Sequence, residues 1–245
     1  LQMQLNHLLN VNPMKTTCDL IHRLNPGATT SIVVKPGESF VAQVQNAFGK
    51  TFENLEEFAE FLSPENEDEK RSVNHPCTGP IEIETSGQNI SLAITIEDIK
   101  LTRAFQCVSK STGLLKDKFT DRACKEFDIG ENNVLTMQGG DLVIHTQPKI
   151  GFIATMDDEE RSPGRSCENG GNLDLNYLTK GSTIYLPVND SRARILVGDL
   201  HACQGNGEVA GIAIESDGEV TLSVKVVDKM NFPIIDNGKR IVIVG

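Results

Sequence analysis

The stretch Val197-Gly198-Asp199-Leu200-His201-Ala202-Cys203-Gln204-Gly205-Asn206-Gly207-Glu208 holds the side chains best suited to chemistry. On an extended chain, residues two apart project to the same side. Asp199 and His201 therefore project together, and Leu200 turns away into packing. Gly205 and Gly207 let the backbone turn at φ values that other residues resist, which would bring Glu208 back toward the same cavity. One histidine with two carboxylates is a plausible divalent-metal set. A second stretch, Gly170-Gly171-Asn172-Leu173-Asp174, repeats the pattern, with Asn172 and Asp174 two apart behind a flexible glycine pair. If the two stretches meet, Asp174, Asp199, His201 and Glu208 lie near one point. The bland account of these residues is that Asp and Asn beside glycines shape turns, and that a solitary histidine is structural or exposed.

Other motifs are set aside. Gly205-Asn206-Gly207-Glu208-Val209-Ala210-Gly211 looks like a dinucleotide fingerprint with one extra residue. That fingerprint needs a helix starting at the glycines, so that its first amides meet pyrophosphate. Here a β-rich run over 209–215 meets Asp217-Gly218 and then another β-rich run, which predicts a hairpin. The sequence holds no P-loop, no HExxH and no GxSxG elbow. Cys203 is a candidate nucleophile by position, but a single Cys beside a His in sequence more often reads as an ordinary buried thiol.

The elements that must position these residues are mainly strands. Segments 31–34 and 39–45 flank the turn signal Pro36-Gly37. Residues 54–62 read as a helix, because Leu55, Phe58, Ala59 and Leu62 form one apolar stripe ended by Ser63-Pro64. The charged run 65–71 reads as a surface connector. Segments 80–85 and 90–100 read as paired strands, the second alternating Ile90, Leu92, Ile94 and Ile96 with Ser91, Ala93, Thr95 and Glu97. Residues 117–127 are a second short helix candidate. Beyond Val134 the candidates are strands at 141–146, 149–155, 182–188, 193–197, 209–215, 219–227 and 240–244, closely spaced by turn residues. That spacing predicts a mainly β (α+β) fold of sandwich or barrel type with a few short helices. The expected organisation is a single domain over 1–245, with an N-terminal subregion 1–147 and a C-terminal subregion 148–245 that carries the main motifs. The abrupt stop just after the apolar run 241–244 suggests that more chain follows in the native gene.

The 245 residues suffice to bury a sizeable core. With 23 Lys and Arg against 34 Asp and Glu, the formal charge is −11. Such a surface repels phosphate backbones and anionic lipid, so nucleic acid and membrane are poor partners. The six cysteines show no CxxC and no regular framework, which fits reduced thiols. No stretch is apolar and long enough to cross a bilayer and no secretory signal is visible, so the expected location is cytoplasmic. The triplets Asn89-Ile90-Ser91 and Asn189-Asp190-Ser191 then read as chance glycosylation matches.

The segment 198–215, GDLHACQGNGEVAGIAIE, closely resembles the signature of the acetamidase/formamidase family. GGNLD at 170–174 and GSTIYLPV at 181–188 are similar to the stretches that precede it there, while PKIGFI at 148–153, NHPCTGP at 74–80 and the strand segment 35–49 are looser matches. The resemblance implies an amidohydrolase that splits a small linear, or cyclic, amide into carboxylate and ammonia. It also implies a β-rich fold, a homodimer or higher homo-oligomer, and a bound divalent metal, zinc or calcium. Family members usually continue past the point where this chain stops. On this basis Asp174, Asp199 and His201 are the expected metal ligands. Glu208 is the expected general base and then acid, with Asp199 and His201 also in the catalytic set. Asn172, Gln204 and Gly171 are expected to hold the amide, and Phe152 and Tyr185 to pack in the core.

Three departures qualify the resemblance. The family's early strand offers a Glu and an Asp where this chain has Gln43 and Asn46, replacements that keep shape and remove charge. The family's His before the paired glycines is replaced by Glu168-Asn169. The connecting regions are also divergent. These departures support an alternative from another class: a catalytically inactive ligand-binding or regulatory protein on the same scaffold. A third reading gives the acidic run 157–160 a structural calcium ion, against the plainer one of a solvated turn.

Overall fold

The computed structural model describes residues 14–63, 75–85, 89–109 and 113–244. The connector 65–71 and the residue that closes the chain lie outside them. Among the described residues strands make up 49% and helices 6%, so the mainly β expectation holds and ladders carry the architecture.

In chain order the strands are β1 (Lys15–Thr17), β2 (Leu20–Ile21), β3 (Ile32–Val34), β4 (Ser39–Val44), β5 (Cys77–Ile83) and β6 (Ile90–Val108). Next come β7 (Ala123–Ile129), β8 (Val134–Met137), β9 (Val143–His145), β10 (Lys149–Thr155), β11 (Ser166–Cys167) and β12 (Gly170–Asn172). The last are β13 (Thr183–Pro187), β14 (Arg194–Cys203), β15 (Ile214–Asp228), β16 (Ile234–Asp236) and β17 (Ile241–Ile243).

Two antiparallel groups share one core. In the first, β14 lies between β10 and β5. In the second, β15 lies between β4 and β6, and β6 continues to β13 and β7. The end of β14 crosses from one group to the other and pairs with β15 through His201 and Cys203. Ile81, Ile150, Ile195 and Val197 from the first group pack with Val44, Ile94, Ile184 and Leu222 from the second. Every residue of β10 is buried, as are the first nine of β14. A strand covered on both faces reads as an apolar run rather than an alternation. The polar Asp199 and His201 are therefore set into one of the most deeply covered strands of the fold.

Several expectations need correction. Residues 117–127 do not form a helix: a 3-10 turn at Lys116–Lys118 is followed by β7, which pairs with β6 and buries Phe127. Pairing with β6 outweighs local helix preference, a common tertiary override. The hairpin expected around Asp217-Gly218 is absent. Residues 214–228 form one long strand, with a register shift between Ser216 and Gly218. A Cβ on Gly218 would lie 2.0 Å from the Lys100 carbonyl oxygen, so glycine here admits close strand approach instead of a turn. The candidate strand at 209–215 correspondingly shrinks to its last two residues, while that at 193–197 extends through Cys203. β5 and β6 were expected to pair with each other. Among the described residues β5 pairs instead with β14, β3 and β2.

The helix at Leu55–Phe61 forms as expected. Asn54 caps it by accepting a hydrogen bond from the Glu57 amide. Phe58 and Phe61 are its buried residues, and they meet Phe52 and Phe105 in an aromatic cluster. The alternation in β6 holds at Thr95 and Glu97 but not at Ser91 and Ala93, which are both buried; Ser91 accepts a hydrogen bond from the Met230 amide. Phe152 is fully buried, and Tyr185 is half-buried on β13.

Candidate metal centre and active site

The β10–β14 register builds the floor of the site. Lys149 pairs with His201, Ile150 with Leu200 and Phe152 with Gly198, which sets Gly151 opposite Asp199. Directly opposed residues of an antiparallel pair put their side chains on one face. A Cβ on Gly151 would lie 2.5 Å from Asp199 Oδ2 and 2.9 Å from Asp174 Oδ1, so this glycine leaves the space that two carboxylates fill. The Gly151 carbonyl also accepts hydrogen bonds from the Leu173 and Asp174 amides at 2.9 and 3.2 Å. The strand that faces Asp199 thus fixes the segment carrying Asp174.

Ligand atoms of Asp174, Asp199 and His201 lie within 4.8 Å of one another, and so do those of His201, Glu208 and Glu215. His201 Nε2 is 3.0 Å from Asp199 Oδ1 and 3.5 Å from Glu215 Oε1. Glu215 also accepts from the Ala47 amide. On the far side of Asp199, His75 Nδ1 stands 3.8 Å from Oδ2. Asn172 donates from Nδ2 to Asp174 Oδ2 at 2.9 Å.

Backbone strain concentrates here. His75, Asp174, Asp199 and Glu208 adopt left-handed φ values of 49°, 47°, 55° and 41°. That region costs L-residues on the order of 1–3 kcal/mol, and such residues cluster at functional sites. The Glu208 conformation belongs to a tight turn, in which its amide donates to the Gly205 carbonyl and its own carbonyl accepts from the Gly211 amide.

Four carboxylates crowd around His201, and the proton affinities of these five groups reflect it. Burial pushes Glu208 up to about 7, reinforced by the neighbouring Asp174 charge. Burial pushes Glu215 up to about 8, against the pull of His201. Asp174 is raised by burial and by the Asp199 charge. Burial disfavours a charged His201, but Asp199 and Glu215 outweigh it and carry the imidazole to about 10. Burial also disfavours the Asp199 carboxylate, yet the charge and hydrogen bond of His201 hold it below its ordinary range.

The donor set suits a divalent cation. Asp174 Oδ1, Asn172 Oδ1 and His201 Nδ1 are buried without a protein hydrogen bond among the described residues. A mixed imidazole and carboxylate set matches zinc better than calcium, which prefers six to eight oxygens. Two of the four acids at 157–160 are otherwise engaged, Asp157 with Arg161 and Glu160 with Arg23.

The structure brings Asp174, Asp199, His201 and Glu208 together and adds Glu215 and His75. Both additions lie inside quoted stretches of the sequence, GIAIE and NHPCTGP, but neither sits at a spacing that singles it out. Gln204 is buried, and among the described residues neither the nitrogen nor the oxygen of its side-chain amide has a hydrogen-bond partner. Gly171 is enclosed by backbone, paired with Ile153 and Ser166, and a Cβ there would lie 2.1 Å from the Arg165 carbonyl oxygen. Gln43 donates to Glu219, and Asn46 to Asp217 and the Lys50 carbonyl. Asn169 is buried and bonded to Thr155 and Arg161, while Glu168 is exposed. These departure positions spend their hydrogen bonds on other partners than the cluster.

Residues 158–237 match the model of the Acetamidase/Formamidase family. The chain is 41% identical over 61 residues to a formamidase of Methylophilus methylotrophus and 43% identical over 61 residues to an acetamidase of Mycolicibacterium smegmatis. Each match covers 24% of this chain and 15% of the relative. The crystal structure of an acetamidase from Bacillus halodurans superposes with a TM-score of 0.81 at 26% identity, covering 92% of this chain and 75% of that one. Residues 158–237 and the shared strand architecture thus make the chain similar to proteins of the acetamidase/formamidase family, although it spans only 15% of the length of these curated relatives in each match.

Proposed function

We propose that the chain hydrolyses the C–N bond of a small linear amide, giving a carboxylate and ammonia, with a divalent ion as cofactor. Asp174, Asp199 and His201 would hold the ion, zinc by the character of the donors. Bound there, it would supply an acidified water and polarise the amide carbonyl. The observation that carries this reading is the convergence of four carboxylates on His201, with the half-buried Glu208 among them.

Amides resist attack because resonance weakens the carbonyl as an electrophile, so a hydrolase must also manage two proton transfers. Glu208 is matched to that task. With a carboxyl near 7, it accepts a proton from the attacking water and returns it to the departing nitrogen at neutral pH. The free Asn172 Oδ1 accepts from the substrate amide N–H, while Asn172 Nδ2 stays on Asp174. Glu215 and His75 flank Asp199 and His201 and fix their orientation.

Ammonia release from formamide and acetamide, before and after chelation and with zinc restored, tests the proposal. Expected is release that requires the metal and disappears in Glu208→Gln, with an unchanged fold. A chain that binds the ion tightly yet releases no ammonia from any amide would refute the hydrolase reading and favour the ligand-binding alternative.

A further inference from the structure

Lys149 is almost fully buried, at 6% exposure, and the chemistry above does not use it. Its side chain shares a face with His201, its partner across the β10–β14 ladder. Nζ donates to Asn176 Oδ1 at 2.9 Å and to the Gln204 carbonyl at 3.1 Å. Asn176 in turn donates from Nδ2 to Asn206 Oδ1 at 2.6 Å. Both acceptors of the ammonium are neutral, so no carboxylate in this chain of bonds offsets the desolvation of the amine. An apolar side chain would fill the same volume at lower cost unless the bonds themselves are needed.

Asn176 lies two residues after Asp174, and Asn206 two residues before Glu208. The bonds therefore join the segment that carries Asp174 to the turn that carries Glu208. We infer that Lys149 is a positioning residue: through Asn176, Asn206 and the Gln204 carbonyl it clamps the Asp174 segment to the Glu208 turn. For catalysis this rests on the function proposed above; the clamp itself does not. The clamp adds to the turn's own bonds from Glu208 to Gly205 and from Gly211 to Glu208, and to those from the Leu114 and Leu115 amides to the Val209 carbonyl, in restraining a strained Glu208.

Hydrogen exchange of the intact chain, followed by mass spectrometry, tests the clamp without reference to turnover. Lys149→Met and Asn206→Ala are compared with the parent; the second alters an exposed link and keeps the test decisive if the first fails to fold. Expected is exchange at least about tenfold faster over 204–211, with unchanged protection in β14 and β15. Expected too is a kcat lower by about 10–100-fold in Lys149→Met, with KM changed little. The double variant should exchange no faster than Lys149→Met, because both substitutions cut the same tie. Unchanged exchange over 204–211 in Asn206→Ala, or loss of protection spread evenly over the sheet in Lys149→Met, would overturn the clamp. Absent ammonia release from the parent would instead strike at the proposed function and leave the exchange result to decide the clamp.

Discussion

Replacing Gly151 with alanine adds one methyl group where two carboxylates already sit. Its Cβ would lie 2.5 Å from Asp199 Oδ2 and 2.9 Å from Asp174 Oδ1, whereas ordinary contact begins at 3.4 Å. Asp199 must then withdraw by 3.4 − 2.5 = 0.9 Å and Asp174 by 3.4 − 2.9 = 0.5 Å. Asp199 is 2% exposed and held by His201, so it cannot swing away freely. Overpacking of this kind costs about 1–3 kcal/mol of stability, or roughly 2–4 °C of melting temperature for each kcal/mol in a chain of this size. A shift near 1 Å in a catalytic group costs about 100-fold in rate, which corresponds to roughly 2.7 kcal/mol of transition-state stabilisation. Zinc affinity by chelator competition, ammonia release and thermal melting would be measured together. The matched control is Gly205→Ala, whose Cβ meets nothing within 4 Å. A Gly151→Ala chain with parental zinc affinity and turnover, or a control equally impaired, would show that the opposed strand does not set the carboxylates.

Two further predictions concern stability. Glu208 and Glu215 rise from 4.5 to about 7 and about 8, and His201 from 6.5 to about 10, so the folded chain holds more protons than the unfolded one between those limits. Stability of the metal-stripped chain should therefore fall as pH rises from about 5 to 9, and zinc should flatten that slope; a melting temperature that climbs over this range without metal would contradict the site electrostatics. Phe58 is fully buried and stacks on Phe105 with ring centroids 5.1 Å apart, so Phe58→Ala should lose about 3–5 kcal/mol in urea unfolding, and a loss below about 1 kcal/mol would mean that the aromatic cluster collapses around the gap.

Much of the site is legible in the primary sequence because its spacing is local. Asp199 and His201 sit two apart on one strand, and Gly207, at a φ of 77°, permits the turn that presents Glu208, whereas Gly205 does not take a left-handed φ. The helix stripe and the alternation of β6 are legible for the same reason: periodicity reports which face of an element is buried. Local pattern misleads where tertiary contact decides the backbone. Asp217-Gly218 has the composition of a turn, but Gly218 lets β15 close on β6 and the strand runs straight through. Residues 117–127 lose their expected helix because β6 offers its far end as a pairing edge.

Register across distant strands is invisible to any window of sequence. It alone sets Gly151 opposite Asp199, aligns Lys149 with His201, and carries Glu215 on β15 to the same imidazole. The amino-acid sequence thus determines the β-rich class and names four of the acidic and imidazole groups. Only the folded sheet decides that they converge, with Asp174, Asp199 and Glu208 at left-handed φ, and that the neighbouring carboxylates raise the affinity of His201 for its proton. The reason is that proton affinity depends on burial and on neighbours within a few ångströms, and both are properties of packing between strands far apart in the chain.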